Sequence, residues 1–377
     1  MKLSMSKNKD IDLECFNFLW LKSQLNARSY TYFPKVKLFR FGKIKYSKSL
    51  LVSIPNDRED IKKSALFSSE FNHLDYVGIR NIGVNPLNFF KVLTCSFFLN
   101  KRSPHKNLFL SFNVQMYMLI AKSLLKYEVK KVTFIGFAYD ESLSGVAFFL
   151  KNYGVQVKFV VDTGFLDFCG PVVASEVEYR TKFQCIFHHK KNWYKYSESC
   201  SYRHKINLAN KNSNKVVGVY TSGFYARQNT NSKKKYLKKG MQSERRMIKE
   251  IQNWASNRKD LEFWLYLHWR GKIENEEDAR IEYASLLELD NVILIPSNRY
   301  SIEEFNDVSM SIACVSEIFF DRLELGYKSI LCHSFEEDFL KKTDLEFLNA
   351  RDVKSLNELS SMRFSDYKNK VELALLH

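Results

Sequence analysis

The chain has 377 residues, is 45% hydrophobic, 15% aromatic and 27% charged, holds few Gly and Pro, and carries a formal net charge of +16. Such a composition excludes a disordered or collagen-like chain, and the length exceeds one ordinary core, so two domains are expected. The basic balance favours anionic partners, whether nucleic acid, an acidic membrane face or a phosphorylated substrate, against the plainer alternative of a lysine-rich solvated surface.

Residues 1–30 show a weak helical pattern around Leu13–Leu25. Strands are predicted at Lys35–Phe41, Leu50–Ile54 and Tyr76–Arg80, followed by a loop over Asn81–Pro86. Leu87–Asn100 is apolar and ambiguous between helix and strand. Asn107–Phe112 then reads as a strand, Val114–Tyr127 as a helix and Val132–Phe137 as a strand with the exit loop Ala138–Ser142. A helix over Leu143–Tyr153, stopped by Gly154, leads to a strand over Val155–Val161 that ends at Asp162. This βαβαβ run predicts an open α/β sheet. Residues 190–214 are rich in Lys, Asn, Ser and Tyr and break the pattern. The domain linker is placed near 205–213, dividing the chain into 1–208 and 209–377.

The second half repeats a strand–loop–helix unit more clearly. Strands are predicted at Lys215–Tyr220, Glu262–Leu267, Asn291–Ile295, Met310–Val315 and Ser329–Cys332. Between them lie helical segments over Met241–Ser256, Glu274–Leu287 and Ile302–Asn306, and an amphipathic stretch runs from Ser316 to Gly326. A weak strand at Leu345–Leu348 and helices near Asp352–Leu359 and Phe364–Leu376 close the chain. Short apolar runs alternating with helices argue a parallel sheet covered on both faces. Ligands of such sheets bind beyond the carboxyl ends of the strands. Those ends carry Ser222, Gly223, His268, Arg270, Pro296, Ser297, Ser316 and Glu317. Hydroxyls, an imidazole, a guanidinium and a helix start suit a phosphate.

Several chemistries are disfavoured. The seven cysteines are scattered with no CxxC pair, which argues against a disulfide framework or a structural zinc site and for a reducing compartment. No dinucleotide GxGxxG follows a first strand, and there is no P-loop, GxSxG elbow or HExxH. Adjacent His188 and His189 would point to opposite sides of a strand. No zinc-finger spacing, RNP-type aromatic box or heptad-linked basic region supports nucleic acid. No secretory signal or span-length apolar stretch is read, so any membrane contact is expected to be peripheral.

The stretches Tyr220–Arg227 (YTSGFYAR), Tyr266–Arg270 (YLHWR) and Val315–Arg322 (VSEIFFDR) carry a resemblance. Over roughly 215–335 the chain resembles the nucleotide-binding domain of GT-B-fold glycosyltransferases. More narrowly, it is similar in pattern to bacterial sialyltransferases and Kdo transferases, which use CMP-activated sugars to build capsule and lipopolysaccharide. Those enzymes end one strand in His-Pro and open a later helix with a Ser/Thr pair; Trp269 replaces the Pro, and Ser316 is followed by Glu317. The resemblance implies an α/β protein of two Rossmann-like domains facing a cleft, residues 1–208 on the acceptor side and 209–377 on the donor side. It implies inverting, metal-independent transfer from a CMP-linked donor to a surface-glycan or lipid-linked acceptor, with no cofactor. The expected location is cytoplasmic, at the inner face of the cell membrane, with no nucleic-acid partner.

The same resemblance assigns roles. His268 would contact or protonate the leaving phosphate, or else cap its own loop. Arg270 would add a forked contact, or remain a solvated arginine. Ser222, Gly223, Pro296 and Ser297 would line the nucleotide, although Ser-Gly is also ordinary turn chemistry. Ser316 would cap a helix or help bind phosphate there, with Glu317 directed to ribose or base. Asp140 and Glu141, in Tyr139-Asp140-Glu141-Ser142, resemble the paired acids that supply a general base, and could equally serve a helix start. Asp162, Glu176 and Glu178 are fallback carboxylates. Two other readings stay open: transfer of a polyol phosphate from a CDP-linked donor, as in teichoic-acid polymerases, and non-catalytic binding of nucleotide or RNA.

Overall fold

The computed structural model describes residues 48–53, 71, 74–79, 82, 86–102, 108–125, 128–136, 141–161, 165, 172–203, 215–227, 234–268, 276–296 and 304–376. The chain forms two compact units, the first from residues 1–180 and 188–203, the second from 181–187 and 204–377. The strand predicted at Lys35–Phe41, the helical pattern near Leu13–Leu25 and the linker near 205–213 lie outside the described residues.

The first unit is built on a six-stranded sheet in the order β2-β1-β3-β4-β5-β6. Its strands are β1 (Ser49–Ser53), β2 (Asp75–Gly78), β3 (Lys131–Gly136), β4 (Gln156–Val161), β5 (Ala174–Tyr179) and β6 (Ser197–Tyr202). Every pairing is parallel. A parallel strand covered on both faces needs a continuous apolar run, and Leu50, Leu51 and Val52 of β1 and Val132–Ile135 of β3 supply one, all buried.

Helices α1 (Pro86–Arg102), α2 (Leu108–Leu125) and α3 (Glu141–Asn152) precede or follow β3. Pro86, at the first helical position, decides the ambiguous stretch in favour of helix. The strand predicted at Asn107–Phe112 is corrected: Leu108–Leu125 is one 18-residue helix. All of 112–121 is buried, including Asn113 and Gln115. A helix stretch buried on every side shows no 3.6-residue stripe, so its start resembles a strand. Gly145 of α3 lets this helix approach, since a Cβ there would lie 2.2 Å from the Tyr117 ring. α3 ends where Val155 N–H reaches the Leu150 carbonyl (3.0 Å) across Gly154, whose φ of +81° an L side chain would resist.

Three elements between residues 174 and 202 carry no clear sequence signal: β5, α4 (Lys182–Lys190) and β6. Polar side chains hold this edge of the sheet together. Lys158 and Arg203 both reach the Glu178 carboxylate, at 2.5 and 2.6 Å, and Ser201 Oγ donates to Glu176 at 2.8 Å. Burial alone would raise the Glu178 carboxyl, but the bonds from Lys158 and Arg203 outweigh it and hold it below the ordinary value. A carboxylate so engaged is a poor proton acceptor, so Glu178 braces strands.

His188 lies on helix α4, not on a strand. Its Nδ1 is 2.9 Å from Tyr179 Oη and its Nε2 2.9 Å from Ser197 Oγ, pinning this helix end over β5 and β6. Burial first, and then the neighbouring His189, lower its pKa from 6.5 to about 4. The unfolded chain therefore binds a proton that the folded chain refuses between about pH 6.5 and pH 4, and stability must fall as pH falls through that window. The expected loss is up to roughly 3 kcal/mol. Urea unfolding followed from pH 7.5 to 4 should show it, and His188→Gln should flatten that slope while lowering stability at neutral pH.

The second unit has a six-stranded sheet in the order β12-β11-β10-β7-β8-β9, again parallel throughout. Its strands are β7 (Val216–Tyr220), β8 (Glu262–Tyr266), β9 (Val292–Leu294), β10 (Met310–Ala313), β11 (Lys328–Cys332) and β12 (Asn349–Ala350). The 24-residue helix α5 (Lys234–Asn257) buries Met247, Ile251, Trp254 and Ala255 against β7, β8 and β11, at the spacing of one helical stripe. The helix predicted over Glu274–Leu287 is two pieces, α6 (Glu276–Glu282) and α7 (Ala284–Leu287), separated at Tyr283. Within the predicted Ile302–Asn306 helix, the described residues from Glu304 form a turn. α8 (Ile318–Glu324) secures that turn through fully buried Arg322, which donates to the carbonyls of Val308 (2.6 Å) and Phe305 (3.3 Å). Its guanidinium also lies over the Phe305 and Tyr327 rings.

Beyond β11 lie α9 (Glu337–Lys342) and, where a strand was predicted at Leu345–Leu348, a 3-10 turn over Glu346–Leu348 leading into β12. α10 (Val353–Ser361), opened by a capping box between Asp352 and Ser355, and α11 (Phe364–Ala374) finish the unit. No described helix is long and apolar enough to cross a membrane.

Candidate functional site

The strand orders locate the place where each sheet can receive a ligand. In the second unit the chain moves from β7 to β8 and β9 on one side, then returns to β10 on the other. Connections leaving β7 and β10 diverge, so a crevice opens beyond their carboxyl ends. The loops there are Thr221–Phe224 and Cys314–Glu317. Register aligns Tyr220 with both Tyr266 and Ala313, so Ser222, His268 and Val315 each stand two residues past one common level of the sheet.

The first loop is held from beneath by a residue the sequence did not single out. Glu244 of α5 is buried, and its carboxylate accepts the amide of Ser222 (2.5 Å), the amide of Phe224 (3.3 Å) and the hydroxyl of Tyr283 (3.2 Å). Gly223 takes φ +60° between those two amides, a left-handed conformation that lets both converge on one carboxylate. Converging amides make an anion nest, and here Glu244 fills it. Phe224 is seated over Gly240, where a Cβ would come within 2.5 Å of its ring.

Ser222 serves the same brace. Its hydroxyl donates to the carbonyl of Val315 and lies 3.8 Å from Cys314 Sγ, which ties the β7 loop to the β10 loop. Thr221 joins the β7 loop to the β8 end through two bonds to the Tyr266 carbonyl, at 3.1 Å from its amide and 3.2 Å from its hydroxyl. The amide and the hydroxyl proton of Ser222 are thus both engaged within the protein.

His268 is half-buried just past β8, and Pro296 is exposed just past β9. Ser316 Oγ accepts the Ile318 amide at 3.4 Å, and Glu317 occupies the N-cap position of α8, one residue later than the sequence suggested. His333 lies directly after β11 on the same sheet edge, a position the sequence alone does not mark. It is held at φ +53°, a strained conformation for a side-chain-bearing residue, by the bond from its amide to the Ala350 carbonyl (2.9 Å). Its Nε2 is buried with no hydrogen-bond partner, and burial lowers its pKa. Arg270 and Ser297 lie outside the described residues.

In the first unit the reversal falls between β1 and β3. The segment that leaves β3 runs from Gly136 to the first residue of α3, Glu141, so the acidic pair belongs to the connection at that switch point. Asp140 and Asp162 themselves lie outside the described residues. Among the described residues no group of three or more His, Cys, Asp or Glu could hold a metal ion.

No family model matches the chain, and no curated protein matches it. Among solved structures it is similar to the UDP-forming α,α-trehalose-phosphate synthase of Burkholderia vietnamiensis, with 8% identity, TM-score 0.44, and 88% of this chain and 95% of that one covered. It is also similar to UDP-GlcNAc 2-epimerase of Neisseria meningitidis (10% identity, TM-score 0.45, 86% and 93% covered). A third is MurG of Acinetobacter baumannii (11% identity, TM-score 0.43, 86% and 85% covered). The assignment of two Rossmann-like α/β units rests on the strand order and register themselves.

Proposed function

We propose that the chain is a glycosyltransferase of the GT-B type, moving a sugar from a nucleotide donor to a surface-glycan or lipid-linked acceptor. A CMP-linked acidic sugar of the sialic-acid or Kdo kind is the donor best suited to it. The observation that carries this reading is the pair of switch points: one with His268 and the Ser316–Glu317 loop at the strand ends beside it, the other followed in the chain by an acidic pair. In this reading His268 and Arg270 balance the charge of the donor phosphate, with the amides of the β10–α8 loop beside them. Ser222, Gly223, Pro296 and Ser297 shape the nucleotide side, and Glu317 takes a ribose or base hydrogen bond.

The step is a single displacement at the sugar's anomeric carbon. Asp140, or Glu141 beside it, accepts the acceptor hydroxyl proton as the new C–O bond forms. The old bond breaks with its electrons going to the CMP phosphate, and His268 stabilises or protonates that oxygen. Transfer then needs no metal, and the configuration at the anomeric carbon inverts. The basic charge is accounted for by work at the cytoplasmic face of an anionic membrane.

Thermal denaturation in the presence of CMP, UDP and GDP tests the donor. CMP at a hundredfold excess over its Kd should stabilise the chain by about 2.7 kcal/mol, while UDP and GDP should do little. A response to UDP or GDP alone would sink the CMP assignment. CMP released from CDP-glycerol or CDP-ribitol but not from CMP-sugars would make the enzyme a polyol-phosphate transferase. Steeply salt-sensitive RNA binding without turnover would replace catalysis with binding.

A further inference from the structure

We propose that the outer face of α1 docks on the surface of an anionic lipid bilayer. This gives the membrane contact suggested above by charge a defined surface, and it holds whether or not the chain transfers a sugar. One side of α1 is already occupied: Phe89, Val92 and their neighbours pack on Phe112, Met116 and Leu119 of α2, with the Phe89 and Phe112 rings 5.8 Å apart. The other side also carries large apolar side chains, and these face water. Leu87 is 71% exposed, Phe90 65%, Phe97 55% and Phe98 53%.

At 100° per residue these side chains fall in one stripe about 120° wide, together with exposed Lys91 and Lys101. Thr94, on the same stripe, turns its hydroxyl back to the Phe90 carbonyl at 3.2 Å, so it presents little polarity outward. A helix apolar on both sides, with one side unburied, carries an exposed patch that calls for an occupant.

The charges choose among occupants. The sequence of α1, PLNFFKVLTCSFFLNKR, contains no acidic residue, and the whole chain carries +16. A two-fold contact with a second copy would bring Lys91 and Lys101 against like charges. Anionic lipid instead offers acyl chains to the phenylalanines and headgroup phosphates to the lysines, the arrangement of an in-plane interfacial helix. At 17 residues α1 is about 25 Å long and would lie flat on the membrane.

Sedimentation of the full chain with vesicles tests this. Wild-type protein should bind vesicles of phosphatidylcholine with 30% phosphatidylglycerol, and bind pure phosphatidylcholine at least tenfold more weakly. The triple variant Phe90→Ser, Phe97→Ser, Phe98→Ser should lose at least tenfold in binding to the anionic vesicles while keeping the wild-type response to CMP. Lys91→Glu with Lys101→Glu, at exposed positions, should lose a similar factor and decides the matter if the triple variant does not fold. Wild-type protein that fails to sediment would overturn the proposal, as would variants that bind like wild type. So would a wild-type dimer in solution that the triple variant turns into monomers. Vesicle binding without any CMP response would leave this surface standing and remove the transfer reading alone.

Discussion

Glu244→Ala is expected to cost about 3–9 kcal/mol of stability and to abolish the response to nucleotide. The estimate follows from what the side chain holds. Its carboxylate accepts from Ser222 N, Phe224 N and Tyr283 Oη, and all three of those residues are buried. Removing the acceptor strands three donors where water does not reach them, at about 1–3 kcal/mol each. The left-handed turn at Gly223 then loses the anion that organises it, and Ser222 no longer presents its hydroxyl to the Val315 carbonyl. Since that bond ties the β7 loop to the β10 loop, the crevice deforms on both sides. Glu244→Gln keeps the shape but turns one oxygen into a donor facing other donors, and should cost less, about 1–3 kcal/mol. Urea unfolding and CMP titration of the folded fraction measure both effects. A variant that melts with the wild type and still responds to CMP would show that the loop holds itself.

That residue also shows where reading the sequence stops. Glu244 sits in QSERRMIKE, a charged run on α5 in which a glutamate looks solvated; only the tertiary position of Ser222 and Phe224 makes it a buried acceptor. His268 and Ser316 were legible for the opposite reason. Each follows a short apolar run, EFWLYL and MSIACV, whose end marks the sheet edge without further information. β5 and β6 (ASEVEY and SESCSY) were illegible because their polar residues are satisfied by one another and by Lys158 and Arg203. α2 was half-read because its buried stretch, residues 112–121, has no polar face to set its period. His333 was missed because a histidine at a strand end is unremarkable in sequence, whereas its left-handed backbone and unpartnered Nε2 exist only in the fold.

Asp140→Ala should lower turnover by 10²–10⁴-fold and leave CMP affinity near the wild-type value. An acceptor hydroxyl is a poor nucleophile until a carboxylate begins to take its proton, and removing such a base costs rates of this order. That corresponds to about 3–5 kcal/mol of transition-state stabilisation. Donor affinity should survive because, in the proposed reading, the nucleotide is held by residues of the second unit, to which Asp140 contributes nothing. The choice of Asp140 rests on topology as well as on resemblance. β3 pairs with β1 through Ile135 opposite Ser53, the sheet reverses at that pair, and the chain reaches α3 by Glu141. A functional carboxylate of this unit belongs in that connection. Asp140→Asn keeps the side chain's shape and removes its basicity, so it should match the alanine variant in rate, and the acid limb of the wild-type pH profile should report the lost carboxylate. Glu141→Ala is the discriminating partner: if it, and not Asp140→Ala, silences turnover, the base is one residue further on. Full activity in both variants would remove the base from the first unit's switch point altogether.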